Sequence, residues 1–336
     1  MAGHVILAGS RDGLHVIEGT ENRQNWNKRL SLLQGKNVSS LALDPLTTEL
    51  FVGLFDGGGV LRLGDVLTGG RIISSDLKGY EVWTVVTHSS GGSAKIYAGT
   101  EPARIYRRED GGDNWKELKG LGELPSYPSW HSPWGDADLN SIAIDPNEPQ
   151  RLYVGVEVGG VSKSEDGGKS WAEADEGIHK DVHHLVLHEA KPSYFYAATG
   201  AGVYVSDAMK VWSDVTHGLK HSYVRALTLH PRKAEVFYVA PMRGPYGGDV
   251  RLYRTSDRGE SWEEMRKGLP DKINTIAERK AFACDREDPA GLYLGTGDGR
   301  ILSSFDEGDK WSTIVEGLPA IQCLLVTEEG RINLNS

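Results

Sequence analysis

The sequence predicts an all-β chain folded as a seven-bladed β-propeller, and three observations carry that prediction. First, a small residue recurs at the end of short apolar runs, as Gly9, Gly53, Gly99, Gly155, Ala198, Ala240 and Gly295, at intervals of 42 to 56 residues. Propeller blades repeat every ~40–50 residues. Second, the pattern Asp-x-Gly-x-x-Trp recurs, at Asp110–Trp115, Asp166–Trp171, Asp257–Trp262 and Asp306–Trp311. Third, the run Ile321-Gln322-Cys323-Leu324-Leu325-Val326 stands alone near the C-terminus, while the first repeat lacks a first strand. Placing that run innermost in blade one closes the ring and removes the sheet edges that invite aggregation.

Each column residue follows a β-rich run: Ile6-Leu7-Ala8, Phe51-Val52, Ile96-Tyr97-Ala98, Leu152-Tyr153-Val154, Phe195-Tyr196-Ala197, Phe237-Tyr238-Val239 and Leu292-Tyr293-Leu294. Upstream of six of them lies an inner-strand candidate: Val38–Leu43, Val82–Val86, Leu139–Ile144, Val182–Leu187, Val224–Leu229 and Ile273–Ala277. No helical period intervenes, and the 42 glycines cluster between runs, where hairpin turns need them. Residues 1–336 therefore read as one propeller. Two smaller domains are the alternative, but no linker composition divides the chain.

Within the Asp-x-Gly-x-x-Trp motif, Asp110, Asp166, Asp257 and Asp306 are expected to accept hydrogen bonds from backbone N–H groups one and two residues on. The Gly supplies a positive φ. Trp115, Trp171, Trp262 and Trp311 start the next strand and bury a ring between sheets. Blade five has a degenerate copy, Ser206–Trp212, without the Gly, and blade two has none. The motif resembles the Asp-box (BNR) repeat of sialidases, xyloglucan-cleaving glycosidases, sortilin-type receptors and photosystem II assembly factors. The whole chain looks like soluble bacterial BNR-like proteins of unassigned activity. The resemblance implies a propeller in which the boxes are structural. The sialidase version implies six blades and three substrate-gripping arginines, for which Arg104, Arg225 and Arg243 are the candidates, with Tyr223 beside Arg225. The seven-blade count and the missing N-terminal arginine motif argue against that activity.

The formal net charge of −10 disfavours nucleic acid and anionic membranes as partners. Two cysteines, Cys284 and Cys323, have neither a disulfide nor a metal spacing. The N-terminal residues carry no basic-then-apolar leader pattern, so a cytoplasmic location is expected. No P-loop, CxxC or GxSxG motif is present, and no cofactor is expected.

Function is expected on the top face, where inner strands begin and where the turns between second and third strands lie; the Asp boxes fall at the bottom. The second residue of each inner strand, in blade order Gln322, Ser39, Trp83, Asn140, His183, Arg225 and Asn274, is polar or aromatic throughout. Two residues deeper, Leu324, Leu41, Val85, Ile142, Leu185, Leu227 and Ile276 are apolar. A polar ring above an apolar floor suits a small ligand; a ring that binds only water is the plain alternative. The top turns add Asp56, Glu101, Glu157 and Asp298. Two insertions reach the same face, one holding Tyr127, Trp130, His131 and Trp134, the other Arg243; the aromatic insertion reads equally as a lid packed on itself. His183, with Asp181 beside it, and Glu157 or Glu101 are the candidate acid–base groups. No metal is expected: a three-histidine set would need His131, His183 and His221 together. Two functions remain open. One is an acid–base enzyme, of hydrolase or lyase type, on a small polar or anionic molecule clamped by Arg225. The other is a scaffold docking a protein or peptide.

Overall fold

The computed structural model describes residues 3–90, 92–109, 114–132 and 135–332. Asp110 and Trp134 lie outside them. Seven four-stranded antiparallel sheets form the blades of a ring. The prediction of ring closure holds: Ile321–Glu328 pairs antiparallel with His4–Ser10, setting Thr327 opposite Val5 and Leu325 opposite Leu7. His4–Ser10 is thereby central in blade one, and all of its residues are buried.

The core lies between blades, and this explains the small-residue column. A side chain at Gly99 would bring its Cβ to 2.4 Å from the Leu139 carbonyl oxygen of the next inner strand. At Gly9 it would meet Cys323 Sγ at 2.4 Å. The neighbouring inner strand packs directly over these glycines, so a Cβ there would force it to shift; blades five and six hold an alanine at the same place, Ala198 and Ala240.

Blade seven differs from the sequence reading. Its inner strand is Phe282–Cys284, not Ile273–Ala277; of that segment only Ile273 makes an isolated bridge, to Val250. The Gly295 N–H donates to the Ala281 carbonyl, so Lys280 takes the place assigned to Asn274, and buried Phe282 that of Ile276. Asn274 is exposed in a top-face loop, where its Oδ1 accepts from the Asp249 N–H at 3.4 Å.

The bottom turns correct one detail of the motif. Asp166 accepts from N–H groups three and four residues on, at Lys169 (3.0 Å) and Ser170 (2.9 Å), rather than one and two. Ser164 Oγ donates to Asp166 Oδ1 and accepts from Gly168 N–H at 2.8 Å. The Thr255–Asp257–Ser261 and Ser304–Asp306–Lys310 turns repeat the pattern. The carboxylate spans a whole turn because the residues after it coil in the left-handed region, with φ of +85° at Gly168 and +103° at Gly308. Trp311 is 2 % exposed, and Trp115, Trp171 and Trp262 are partly buried against the cores.

Candidate functional site

The polar ring has a backbone cause. In six blades the inner strand carries a one-residue β-bulge that leaves unpaired, in turn, Gln322, Ser39, Trp83, Asn140, His183 and Arg225. A bulge re-aims its extra side chain. With Lys280 in blade seven, these residues ring the top of the channel.

Above them opens a cavity of about 490 Å³. Among its lining residues are the carboxylates of Asp56, Glu81, Glu101, Asp136, Asp138, Glu157 and Glu278, and the cations Arg11, Arg225, Arg279 and Lys280. Most of these cations already have protein partners. Arg279 donates to Glu157 Oε2 and lies 4.8 Å over the Trp83 ring. Burial opposes its charge, but Glu157, Asp138 and Glu278 outweigh it and raise its pKa. Arg225 donates to Glu278 at 3.1 Å and to the Tyr223 hydroxyl at 3.4 Å. Lys280 Nζ reaches across the channel to the carbonyls of Trp83 (2.6 Å) and Asn140 (2.9 Å). Burial, then the Arg279 charge, lowers its pKa to about 7.

Two lining carboxyls are pushed upward. Glu101 is raised by burial, against the 3.1 Å hydrogen bond that it accepts from Trp83 Nε1. Asp138, 4 % exposed and without a partner at Oδ1, lies well above the carboxylate range. Burial is its main cause; Arg279 pulls it down, and Glu157 pushes it further up. Carboxyls with raised pKa values set among other carboxyls form an arrangement that can donate and accept protons.

The candidate residues divide in their placement. Ser39, Trp83, Glu101, Glu157, Arg225 and Gln322 line the cavity. Ser39 Oγ donates to the Val82 carbonyl, Gln322 Nε2 donates to Asn37 Oδ1 at 2.7 Å, and Trp83 packs edge-on against Phe55. Asn140 is fully buried and donates to the Val182 carbonyl, so it ties blade four to blade five. His183 is also fully buried, with Nδ1 2.7 Å from the Val224 carbonyl and its ring against Tyr223. It therefore does not face the cavity as the general base expected of it. Tyr223 is half-buried outside the lining, and Arg243 is exposed. Arg104 pairs with Glu117 at 3.6 Å, and Asp298 with Arg300, both away from the lining. The three arginines of a sialidase-like clamp are thus not assembled.

The aromatic insertion packs on itself. Trp130 is 7 % exposed, packs at a tilt against Tyr127 and donates to Ser126 Oγ. His131 is exposed on a short ladder, opposite Asp136. Among the described residues of the insertion, Ser132, Asp136 and Asp138 line the cavity. His221 is held by Asp249 at 2.8 Å, and among the described residues His131, His183 and His221 do not form a metal-competent group.

Arg279, Lys280, Glu278 and Asp138 were missed by sequence reasoning. One interval would have found the first three. It separates Leu139 from Gly155, Val182 from Ala198 and Val224 from Ala240; counted back from Gly295, it lands on Arg279.

No family model and no curated protein matches the chain. Solved structures do, as propellers. A GH74 xyloglucanase from Xanthomonas campestris superposes with a TM-score of 0.69 at 17 % identity over 94 % of this chain. This chain spans 53 % of that enzyme's length, about half. YCF48 bound to D1 peptide gives 0.59 at 17 % identity, covering 89 % of this chain and 87 % of that one. A lactonase-like protein from Bacteroides uniformis gives 0.67 at 10 % identity, covering 97 % and 100 %. At these identities the likeness establishes the fold: this is a seven-bladed β-propeller whose structural neighbours have unrelated activities.

Proposed function

We propose that the top-face mouth binds a small neutral or cationic polyhydroxylated molecule and performs acid–base chemistry on it. The observation that carries this reading is the cavity's charge arrangement: seven lining carboxylates face four cations, and Arg225, Arg279 and Lys280 already have partners within the protein. An anionic ligand would have to displace Glu278 or Glu157 from its arginine or rely on Arg11 alone. Hydroxyls or an ammonium group would instead meet acceptors that are open to the cavity. Glu101, with its raised pKa and its place in the lining, is the proton donor in this reading. Asp138, whose pKa burial raises, is a second group able to hold a proton beside Glu157.

The test is calorimetric and thermal-shift titration with a matched set of ligands: neutral sugars, the corresponding amino sugars and the corresponding sugar acids. Binding of the neutral or amino members, weakened in Glu101→Gln, is the expected result. Binding of the acids alone would overturn the reading. The scaffold alternative calls for a broad apolar top face. Among the described residues the large exposed hydrophobics are Leu46, Ile72, Val211 and Tyr246, scattered over the ring, with Tyr246 on a top loop. A peptide entering this mouth would have to present a basic side chain.

A further inference from the structure

We propose that Glu157, Asp181 and His183 form a binding site for a borderline divalent transition metal, set in the wall of the mouth between blades four and five. One ligand atom from each of the three lies within 4.8 Å of the others. Glu157 stands on the top turn of blade four; Asp181 and His183 lie at the start of blade five's inner strand. The bulge at His183 turns its ring toward the neighbouring top turn instead of into the strand pairing.

The histidine is the observation that lifts this group above a cluster of acids. Its Nδ1 sits 2.7 Å from the Val224 carbonyl oxygen. A carbonyl can only accept, so Nδ1 carries the proton and a neutral ring has a bare lone pair at Nε2. A backbone carbonyl holding the far nitrogen is also how metal-binding histidines are oriented. His183 is 0 % exposed, and its Nε2 has no hydrogen-bond partner. Nε2 lies 3.3 Å from Asp181 Oδ1, itself buried and without a hydrogen bond. Two acceptors facing each other at that distance repel unless something positive lies between or beside them. The Arg279 guanidinium, close enough to act on Asp181, offsets part of this repulsion; a second proton on the imidazole or a bound cation removes the rest.

The surroundings fit a cation. Glu157 lines the cavity, so an ion has a route in from the mouth. Arg279 engages Glu157 at Oε2, but a carboxylate has two oxygens and four lone pairs, which leaves Glu157 able to take a metal as well. One imidazole and two carboxylates form a mixed N/O set suited to Mn²⁺, Co²⁺ or Zn²⁺, and too poor in oxygen for Ca²⁺, which takes about six to eight. The site stands independently of the ligand reading above.

The experiment is titration of chelator-treated protein with Co²⁺, followed by its visible ligand-field bands and by calorimetry. Asp181→Asn and His183→Gln are run in parallel, each checked by circular dichroism for an intact fold. One saturable equivalent in the parent, weakened about tenfold or more in Asp181→Asn, is expected. ¹⁵N spectra of the histidines should show the His183 Nε2 resonance shifting on addition of Zn²⁺. Absence of saturable binding, unchanged binding in a folded Asp181→Asn, or a His183 ring doubly protonated and indifferent to Zn²⁺ would each overturn the proposal.

Discussion

Lys280 Nζ donates a 2.9 Å hydrogen bond to the carbonyl oxygen of Asn140, so blade seven reaches across the channel to blade four. Lys280 also bonds Trp83 in blade three, and this single side chain ties together three blades that share no strand pairing. A neutral amine keeps two N–H donors, so both bonds survive loss of the proton.

That pairing predicts a pH signature. The folded pKa of Lys280 is about 7, against 10.5 for the free side chain. Below pH 7 folded and unfolded chains both hold the proton, and the folded chain carries the full burial penalty. Between pH 7 and 10.5 the unfolded chain alone holds it, so stability rises with pH across that window. Urea denaturation of the parent and of Lys280→Met at pH 7, 8.5 and 10 should show this slope in the parent minus the variant. Identical pH dependence in the two proteins would disprove it.

Glu101 predicts a slope of opposite sign. Its folded pKa is raised above 4.5, so just above pH 4.5 the folded chain keeps a proton that the unfolded chain has lost. Stability from this group falls as pH rises through that window. Glu101→Gln should therefore gain stability relative to the parent between pH 4.5 and 7, measured by thermal melting.

Arg225 and Glu278 predict a non-additive cycle. Their side chains are each 15 % exposed. Arg225→Met leaves a largely buried carboxylate unpaired and should cost about 3 kcal/mol, whereas Arg225→Met with Glu278→Leu should lie within about 1 kcal/mol of the parent. A double-variant cost equal to the sum of the Arg225→Met and Glu278→Leu costs would show that the pair is not coupled.

The tryptophans of the bottom turns predict a graded series. Trp311, 2 % exposed and donating to the Gly308 carbonyl at 3.1 Å, should cost about 3–5 kcal/mol on replacement by Ala. Trp171 keeps part of its ring in water and should cost less. Neither change should alter ligand binding at the opposite face, which separates the structural role of these turns from the site.

Ring closure predicts a sharper loss. Deletion of residues 320–336 removes the inner strand that covers His4–Ser10 and exposes a buried strand edge. The truncated chain is expected to associate in size-exclusion chromatography and to lose its cooperative urea transition.

Much of the fold was legible because it is written in local chemistry. The glycines of the column mark places where a Cβ would strike the next blade, and Ile321–Val326 could be matched to blade one because a lone strand and a missing one must meet. Blade seven misled because Ile273–Ala277 alternates like a strand, while the true strand Phe282–Cys284 is only three residues long. The error was local, but it removed Arg279 and Lys280 from view.

By itself the sequence determined the ring, its seven blades, its closure and, in six of the blades, which residue stands second in the inner strand, since these follow from spacing and side-chain size. Tertiary structure alone decided which of those residues face the cavity and which neighbours they answer to. Asn140 and His183 occupy the same strand position as Trp83 and Arg225, yet they turn into the seam between blades. Glu157 meets Arg279 from a blade three places round the ring. Contacts across the channel join residues more than a hundred positions apart, and charge partners at that separation leave no periodic trace along the chain.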